Sequence, residues 1–318
     1  MERKTDFILI GAAILDVLAQ PVSADVFTSG SLAAGKVTMN TGGDAMNEAS
    51  VLAGLGASVR LVSKIGQDAA GTQVIKACQS SHIDTAFIIE DSSIDTGINI
   101  VLVDGQGERH FITSPNGSLR KLSLPDIPAE ALKNGKYLCF ASIFVSPAFD
   151  NHAMKQLFEK AKAQGLQGLI LCADMTKCKN GETLTDMKES LALLDYIFPN
   201  YEEASLLTGL ADWDEIADAF LSCGVKHVIL KAGAKGCFIK TADQRYWIDA
   251  YPYADCIDTT GAGDTFTACF LYALHLGMSL PDCGKFANAG ASICIEAVGA
   301  AGKIKDAAQI FDRFQSMS

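Results

Sequence analysis

The feature of this sequence that most limits its fold is the alternation of short apolar runs with longer amphipathic stretches. Six runs have the length and composition of buried strands: Phe7–Gly11, Val59–Lys64, Tyr137–Ala141, Leu169–Ala173, Tyr196–Pro199 and His227–Lys231. Helical patterns separate or follow them at 44–55, 71–80, 149–164, 202–208, 214–223, 264–276, 285–296 and 306–314. Strands that alternate with helices form parallel sheets, because each crossover needs a long connection. We therefore predict an α/β fold with a doubly wound, mostly parallel sheet and helices on both faces.

Two segments, 22–39 and 96–113, interrupt this alternation. Both contain strand-like runs beside turns, such as Asp104-Gly105-Gln106-Gly107, and neither contains a helical pattern. We expect them to project from the sheet as a small β-sheet lid formed by about 17–40 and 94–115. Because no linker, repeat or low-complexity tract divides the chain, residues 1–318 are predicted to form a single domain.

The charge balance limits the partners of the chain. Its 318 residues include 37 acidic residues and 26 lysines and arginines, for a net charge of −11. Nucleic acids and anionic membranes need a basic surface, so neither is expected as a partner. There is no run of 18 apolar residues, and no membrane span is predicted. The ten cysteines form no C-x-x-C pair, which favours free thiols in the reducing cytoplasm.

Several common catalytic motifs are missing. The first strand ends at Gly11 and continues as Ala12-Ala13, without the G-x-G-x-x-G of dinucleotide-binding proteins. The serine-hydrolase G-x-S-x-G and the zinc motif H-E-x-x-H do not occur, and the five histidines have no ligand spacing. Nicotinamide, serine-hydrolase and zinc chemistry are therefore disfavoured.

The segment Asp258-Thr-Thr-Gly-Ala-Gly-Asp264, which precedes an apolar helix, carries the strongest chemical signal. Small residues allow backbone N–H groups to approach an anion at the positive end of that helix. Asp264, in the first helical turn, can accept a proton from an alcohol beside the anion. The alternative is structural: Asp258 or Asp264 caps the helix and the glycines form a tight turn.

This string resembles the C-terminal signature of the PfkB or ribokinase-like carbohydrate kinases. Thr41–Asn47 resembles the G-G-x-x-x-N signature of that family, Asn200–Glu203 its N-x-x-E motif and Lys231–Gly236 its glycine-rich nucleotide turn. Gly11–Asp16 is similar to the first strand, whose Asp contacts sugar hydroxyls. The motifs agree in order over nearly the whole chain, so a ribokinase-like fold is expected.

The resemblance implies ATP-dependent phosphorylation of a hydroxyl, a primary CH2OH, of a small sugar by in-line transfer. It assigns the general base to Asp264 and the anion hole to the amides of Gly261, Ala262 and Gly263. It places the acceptor against Asp16, Gly42, Gly43 and Asn47, with Arg109 of the lid reaching substrate or γ-phosphate. Open alternatives are a turn or cap for Asp16, an ordinary helix position for Asn47 and an exposed strand position for Arg109.

The resemblance also implies ATP and Mg²⁺ as cofactors, and a homodimer formed through the lid. It assigns Lys231, Gly233, Gly236 and Asn288 to the nucleotide, and Asn200 and Glu203 to magnesium, with Glu203 acting through a bound water. Asp258 and Thr260 match the positions at which several relatives bind a monovalent cation, so stimulation by K⁺ is expected. The alternative for Asn200 and Glu203 is that they only cap and charge a helix N-terminus.

The chain departs from the family pattern in two places. Many family members carry D-x-N-x-R where this chain has Asp174-Met-Thr-Lys-Cys178. Lys177 then either replaces the arginine as a point charge or is an ordinary surface residue. Asp44, next to the expected acceptor site, favours a neutral, hydroxyl-rich acceptor.

Two other functions remain open at this point. A nucleoside kinase of the same fold would need an aromatic platform for the base, which Phe27 and Phe111 of the lid segments can offer. A non-catalytic sugar or nucleotide sensor would keep the fold but not need the base Asp264.

Overall fold

This computed structural model describes residues 5–106, 108–299 and 304–317. Within these ranges the chain forms thirteen strands and nine α-helices. The strands are β1 (Thr5–Gly11), β2 (Ile14–Gln20), β3 (Lys36–Gly42), β4 (Val59–Gly66), β5 (Asp84–Asp91), β6 (Ile98–Val103), β7 (Arg109–Thr113), β8 (Gly135–Ile143), β9 (Ile170–Met175), β10 (Tyr196–Phe198), β11 (His227–Lys231), β12 (Cys237–Lys240) and β13 (Arg245–Ile248). The helices are α1 (Asp44–Gly54), α2 (Ala69–Ser80), α3 (Asn151–Gln164), α4 (Lys188–Leu191), α5 (Tyr201–Thr208), α6 (Trp213–Ser222), α7 (Ala262–His275), α8 (Leu280–Cys294) and α9 (Ala307–Ser316).

The central sheet has nine strands in the order β13-β12-β11-β10-β9-β8-β1-β4-β5. The strands from β11 to β5 pair in parallel, and β12 and β13 add an antiparallel edge. After β1, the chain adds β4 and β5 on one side of β1. It then returns to the other side of β1 and adds β8 to β13 in order. This reversal of direction beside β1 confirms the predicted doubly wound, mostly parallel sheet.

Helices cover both faces of the sheet, as predicted. Phe7 and Leu9 of β1 point to a core shared with α1, α2, α7, α8 and α9. Ile8 and Ile10 point to a second core, shared with α3 to α6. All four side chains are fully buried, which explains why the strand appears in the sequence as a continuous apolar run.

The six apolar runs and the eight helical patterns are all present, whereas helix α4 and three strands of the central sheet were not predicted. In the segment 22–39 only the last residues form a strand, β3, and strand β2 starts at Ile14, before the predicted lid segment of about 17–40. The six apolar runs form β1, β4, β8, β9, β10 and β11, and the eight helical patterns form α1 to α3 and α5 to α9. Two of the three unpredicted strands, β5 and β13, are the edges of the sheet, and β12 is a four-residue strand next to β13. Half-exposed edge strands mix polar and apolar residues, which weakens their signal in the sequence.

A second, four-stranded sheet has the order β3-β2-β6-β7. Its outer pairs are antiparallel, and β2 and β6 are parallel. It begins at Ile14, only two residues after β1 ends, so Asp16 lies inside a strand of this sheet. Asp16 is paired with Asn99 and therefore lies on the same face as it. Five exposed apolar residues lie on the opposite face: Val37, Met39, Ile98, Ile100 and Ile112.

Within the described ranges, none of the helices is long and apolar enough to span a membrane.

Candidate active site

Two helix N-termini meet where the glycine motifs of the sequence lie. α1 begins after Gly43, and α7 begins after Gly261, whose φ of 71° lies in the left-handed region that favours glycine. Asn47 of α1 donates a hydrogen bond from Nδ2 to Oδ2 of Asp264 on α7 at 2.6 Å. The structure thus joins the two signatures, 217 residues apart in the sequence, through a direct side-chain contact.

The glycine turn before α7 presents backbone amides to the same point. Gly261 and Gly263 lie where helix N–H groups have no carbonyl within the helix to bond, so they suit an anion. The amide of Ala262 donates to the carbonyl of Thr259 at 3.2 Å. Two of the three amides assigned to the anion hole are therefore at unsatisfied helix positions, while the third already has a partner.

Asp264 is half-buried in the first turn of α7. Burial raises its pKa well above the ordinary value, and the charges of Asp44 and Asp174 add to this rise. The Asn47 hydrogen bond and the ammonium of Lys231 act in the opposite direction and favour the carboxylate. A carboxylate with a raised pKa is a stronger proton acceptor, which is what a general base for an alcohol needs.

A buried ion pair lies beneath the glycine turn, at the carboxyl ends of β9 and β11. Nζ of Lys231 is 2.7 Å from both carboxylate oxygens of Asp174. The hydroxyl of Thr267 on α7 donates to the same carboxylate at 2.9 Å. Burial alone would lower the pKa of Lys231, but Asp174 and Glu203 raise it, so the amine keeps its charge. A Cβ built on Gly263 would be 3.5 Å from this ammonium.

The residues assigned to the acceptor lie on β2, at the end of β3, at the start of α1 and on β7. The carboxylate of Asp16 on β2 accepts a hydrogen bond from Nδ2 of Asn99 at 3.0 Å. A Cβ on Gly42 would come within 2.1 Å of Oδ2 of Asp16, so only glycine leaves room for this carboxylate. Asp44 accepts a short hydrogen bond from the hydroxyl of Ser142. Arg109 is the first residue of β7, and its side chain lies outside the described residues.

Asn200 and Glu203 form a capping box at the start of α5. The Glu203 amide donates to Oδ1 of Asn200, and Oε2 of Glu203 accepts from the Asn200 amide, each at 2.8 Å. The capping alternative is therefore present in the structure. Burial raises the pKa of Glu203 to about 7, although Lys231 opposes this rise. A carboxylate beside a phosphate site is also an oxygen donor of the kind that Mg²⁺ prefers, so the residue fits that ion.

The residues assigned to the nucleotide follow β11. Gly233 opens a short 3-10 turn, and a Cβ there would meet open space, which leaves room for a ligand. A Cβ on Gly236 would collide with the carbonyl of Ile248, so this glycine permits close backbone packing. Asn288 on α8 is buried, and its amide donates to the carbonyls of Ile248 and Asp249 at 3.1 Å each. The amide N–H groups of Asn288 thus hold the backbone at 248–249 and are not available to bind the adenine of a nucleotide.

The residues assigned to a monovalent cation fix the loop before α7. Oδ1 of Asp258 accepts from the amide and the hydroxyl of Thr260 at 2.8 and 2.7 Å. Its Oδ2 accepts from the amide of Gly299 at 2.9 Å. In the part of the chain that the structure describes, no group of three or more His, Cys, Asp or Glu is arranged to hold a metal ion.

Lys177 lies outside this site. Its side chain is exposed and pairs with Glu202 at 3.1 Å. This position agrees with an ordinary surface residue, the second of the two interpretations offered for Lys177.

Sequence reasoning did not assign Thr267 or Glu48, nor a role for Asp174. Asp174 and Thr267 meet only because the strand order places β9 beneath α7. Glu48 had a detectable signal: it shares one side of α1 with Ala45 and Leu52, and an acid in an apolar stripe is unusual.

Comparisons with known proteins agree with this geometry. The family described as "pfkB family carbohydrate kinase" matches residues 4–307. A ribokinase from Staphylococcus aureus is 30% identical over 270 residues, 83% of this chain and 84% of that protein. A nucleoside kinase from Methanothermobacter thermautotrophicus is 28% identical over 86% of this chain and 84% of its own. The structure of Arabidopsis thaliana ribokinase complexed with ribose and ATP superposes with a TM-score of 0.81 at 24% identity, covering 98% of this chain and 99% of the other. That superposition confirms the predicted ribokinase-like fold.

Proposed function

The chain belongs to the pfkB family of carbohydrate kinases, and on that premise we propose that it transfers the γ-phosphoryl group of ATP to a primary hydroxyl of a small sugar. The observation that carries this proposal is the contact between Asn47 and Asp264. It brings together the carboxyl of Asp264, whose pKa is raised, the side-chain amide of Asn47 and the N-terminus of α7, which suits an anion. Those are the groups that phosphoryl transfer to an alcohol requires.

In this reaction the acceptor oxygen attacks the γ-phosphorus in line. The new P–O bond forms, the bond to the ADP oxygen breaks, and the hydroxyl proton passes to Asp264. The amides of the glycine turn and the Lys231 ammonium beneath it stabilise the charge on the transferred group. Glu203 would hold Mg²⁺ through a bound water, and the ion would supply positive charge to the phosphates.

The acceptor lies between β2 and the start of α1. The carboxylate oxygens of Asp16 can accept hydrogen bonds from sugar hydroxyls. Gly42, which has no side chain, leaves room for this carboxylate. Arg109, the first residue of β7, is assigned to the acceptor or the γ-phosphate by the family resemblance alone. Asp44, the first residue of α1, adds a second negative charge to this site. A neutral, hydroxyl-rich sugar therefore suits the site better than an anionic one.

The nucleotide lies along the turn that follows β11. Lys231 and Gly233 border its phosphates, while Gly236 and Asn288 hold the backbone that faces the base. Potassium bound beside Asp258 and Thr260 would stabilise the loop before α7 and so stimulate the enzyme.

The second sheet acts as a lid and as the surface of a homodimer. On the face away from Asp16, Val37, Met39 and Ile112 are 64, 57 and 51% exposed. An apolar face of this kind is stabilised when a second copy covers it. Met39→Asp should therefore give a monomer by light scattering, whereas Leu206→Asp, at an equally exposed apolar position of α5, should not. A dimer that persists in Met39→Asp would refute this surface.

A cytoplasmic location fits the cysteines of the chain. All ten are free, and eight are buried. Buried free thiols persist in a reducing compartment, where disulfide formation is disfavoured. The net charge of −11 supports small-molecule partners in preference to nucleic acid or an anionic membrane surface.

A nucleoside is the second candidate acceptor. Phe111 of β7 is 58% exposed and lies on the same face of the second sheet as Asp16. An aromatic ring in that position can stack on a base.

A screen of acceptors tests the function. Pentoses, hexoses, sugar acids and nucleosides are each incubated with ATP and Mg²⁺, with and without K⁺, and release of ADP is measured. Turnover of sugars supports the proposal, and turnover of nucleosides alone would transfer it to the second candidate. Binding of a sugar or nucleotide without turnover of any acceptor would identify a sensor and refute the kinase.

A further inference from the structure

Glu48 is a buried acid that the reaction described above does not use. It follows Asn47 on α1, and its side chain has no solvent exposure. Its side of the helix packs against the sheet near Cys139 of β8 and Cys172 of β9. Its side chain therefore lies between α1 and the sheet, close to Asp264 of α7.

Neither oxygen of the Glu48 carboxyl has a nitrogen or oxygen partner within hydrogen-bond distance in the part of the chain that the structure describes, and the thiol of Cys139, a weak donor, lies beside it. A buried carboxylate without donors is strongly unfavourable. Burial raises the pKa of Glu48 well above its ordinary value, and Asp174 and Asp264 raise it further, while the Cys139 thiol and Lys231 oppose them. The buried environment therefore favours the neutral form of Glu48.

The groups that face Glu48 come from four elements. Asp174 and Cys172 lie on β9, Asp264 on α7, Lys231 on β11 and Cys139 on β8. Burial raises the pKa of both thiols, so they stay uncharged. Lys231 is the cation of this group, and its two hydrogen bonds go to Asp174.

We propose that Glu48 is a positioning residue which, by remaining neutral, leaves the Lys231 ammonium bound to Asp174 beneath the glycine turn, and that ionisation of Glu48 sets the alkaline limit of catalysis. The proposal about catalysis rests on the proposed kinase function. When Glu48 loses its proton to solvent, a second anion competes with Asp174 for one ammonium. The added negative charge also repels Asp264 and the phosphates bound at the turn.

The position of Glu48 in the core supports a functional reason for its retention. An apolar side chain of similar length would fill the same space without an unpaired polar group. Glu48→Met should therefore raise the melting temperature by about 2–4 °C. Such a gain, combined with altered catalysis, is the pattern expected of a residue kept for function.

The main test compares the pH dependence of kcat and of kcat/KM for ATP in the wild type and in Glu48→Gln. At neutral pH the variant should retain activity within about threefold, because Gln has nearly the same shape as the neutral acid. On the alkaline side it should keep about tenfold more activity than the wild type, which equals a shift of the limb by one pH unit. Ser63→Ala is the matched control, because it also removes a buried polar group without a hydrogen-bond partner among the described residues. It should leave the alkaline limb of the pH profile unchanged.

An alkaline limb that is the same in Glu48→Gln, Glu48→Met and the wild type would overturn the proposal. A second measurement does not need turnover: the infrared difference between the wild type and Glu48→Gln at neutral pH. It should show the carbonyl band of a protonated carboxylic acid in the wild type, and absence of this band would also overturn the proposal. If no acceptor is turned over by the wild type, the kinase function fails while the infrared result still decides the protonation of Glu48.

Discussion

The amide of Asn47 on α1 donates to the carboxylate of Asp264 on α7 at 2.6 Å and so fixes the candidate base against the acceptor side of the site. This single hydrogen bond has two effects. It orients the carboxylate, and it stabilises the ionised form that accepts a proton. Both effects can be measured separately.

Replacement of Asn47 by Ala should move the acidic limb of the kcat–pH profile to higher pH. The Asn47 hydrogen bond lowers the pKa of Asp264, so its removal raises that pKa and leaves less carboxylate at a given pH. Steady-state kinetics as a function of pH provide the measurement. Ser50→Ala, which removes a hydroxyl bonded only to the Met46 carbonyl of the same helix, is the control. A shift toward lower pH would contradict this role of Asn47.

Asp264→Asn should fold normally and lose kcat by roughly 10² to 10⁴, the range for a lost general base. Asp282→Asn gives a fair comparison, because Asp282 is also an acid in the first turn of a helix but lies on α8. Initial rates under saturating ATP and acceptor give kcat for both variants. Unchanged turnover in Asp264→Asn would remove this residue from the chemistry.

Lys231→Met should destabilise the protein by about 3–5 kcal/mol, since it leaves the carboxylate of Asp174 buried without its cation. Adding Asp174→Asn to this variant should recover part of the loss. Urea unfolding monitored by fluorescence gives these free energies. Lys177→Met breaks the exposed pair with Glu202 and should cost about 1 kcal/mol or less. Equal losses in the two lysine variants would show that the Asp174 pair is not buried as described.

Gly42→Ala should raise the KM for the acceptor about tenfold or more and leave the KM for ATP nearly unchanged. The new Cβ would be 2.1 Å from Oδ2 of Asp16, so the carboxylate must move away from the acceptor. Gly54→Ala on α1 meets no atom within 4 Å and should leave both constants unchanged. A parallel rise of both KM values in Gly42→Ala would indicate a general disturbance instead of a displaced Asp16.

Glu203→Gln should stabilise the protein at alkaline pH. Burial raises the pKa of Glu203 from 4.5 to about 7 in the folded state, so the folded state binds the proton more tightly than the unfolded state. That contribution is fully present below pH 4.5 and is lost as the pH rises through 7. The variant should gain up to about 3 kcal/mol over the wild type above pH 8, and little below pH 4. Denaturant unfolding across this range, with the exposed Glu202→Gln as control, tests the sign; a gain independent of pH would contradict it.

The sequence was sufficient to predict the fold class because its central strands are buried on both faces and appear as continuous apolar runs. The edge strand β13 could not be found this way, since its side chains alternate between exposed and half-buried positions, and β12 is buried but only four residues long. The position of Asp16 was also only partly predictable. The sequence analysis grouped Asp16 with the first strand, or with a turn or cap, whereas the structure ends β1 at Gly11 and places Asp16 inside β2. The two-residue break at Ala12-Ala13 that separates these strands has no strong turn signal.

The candidate site was predictable where its chemistry is local. The glycine turn with Asp264 is one short segment, and so is the capping box of Asn200 and Glu203. The contact of Lys231 with Asp174, 57 residues away, depends on the order of β9, β10 and β11 in the sheet. The assignment of Asn288 depended on resemblance, and only the structure showed that its amide holds two backbone carbonyls.

The pairing of β2 with β6 couples the proposed acceptor side of the second sheet to its outer apolar face. Asp16 and Asn99 point to one side of this ribbon, and their neighbours Val17 and Ile100 point to the other. Because side chains alternate, a one-residue slip of either strand would bring an aliphatic group toward the sugar and a polar group toward the outer surface. Insertions or deletions of a single residue in 14–20 or 98–103 should therefore abolish sugar recognition and disturb the outer surface together, so both properties depend on one register.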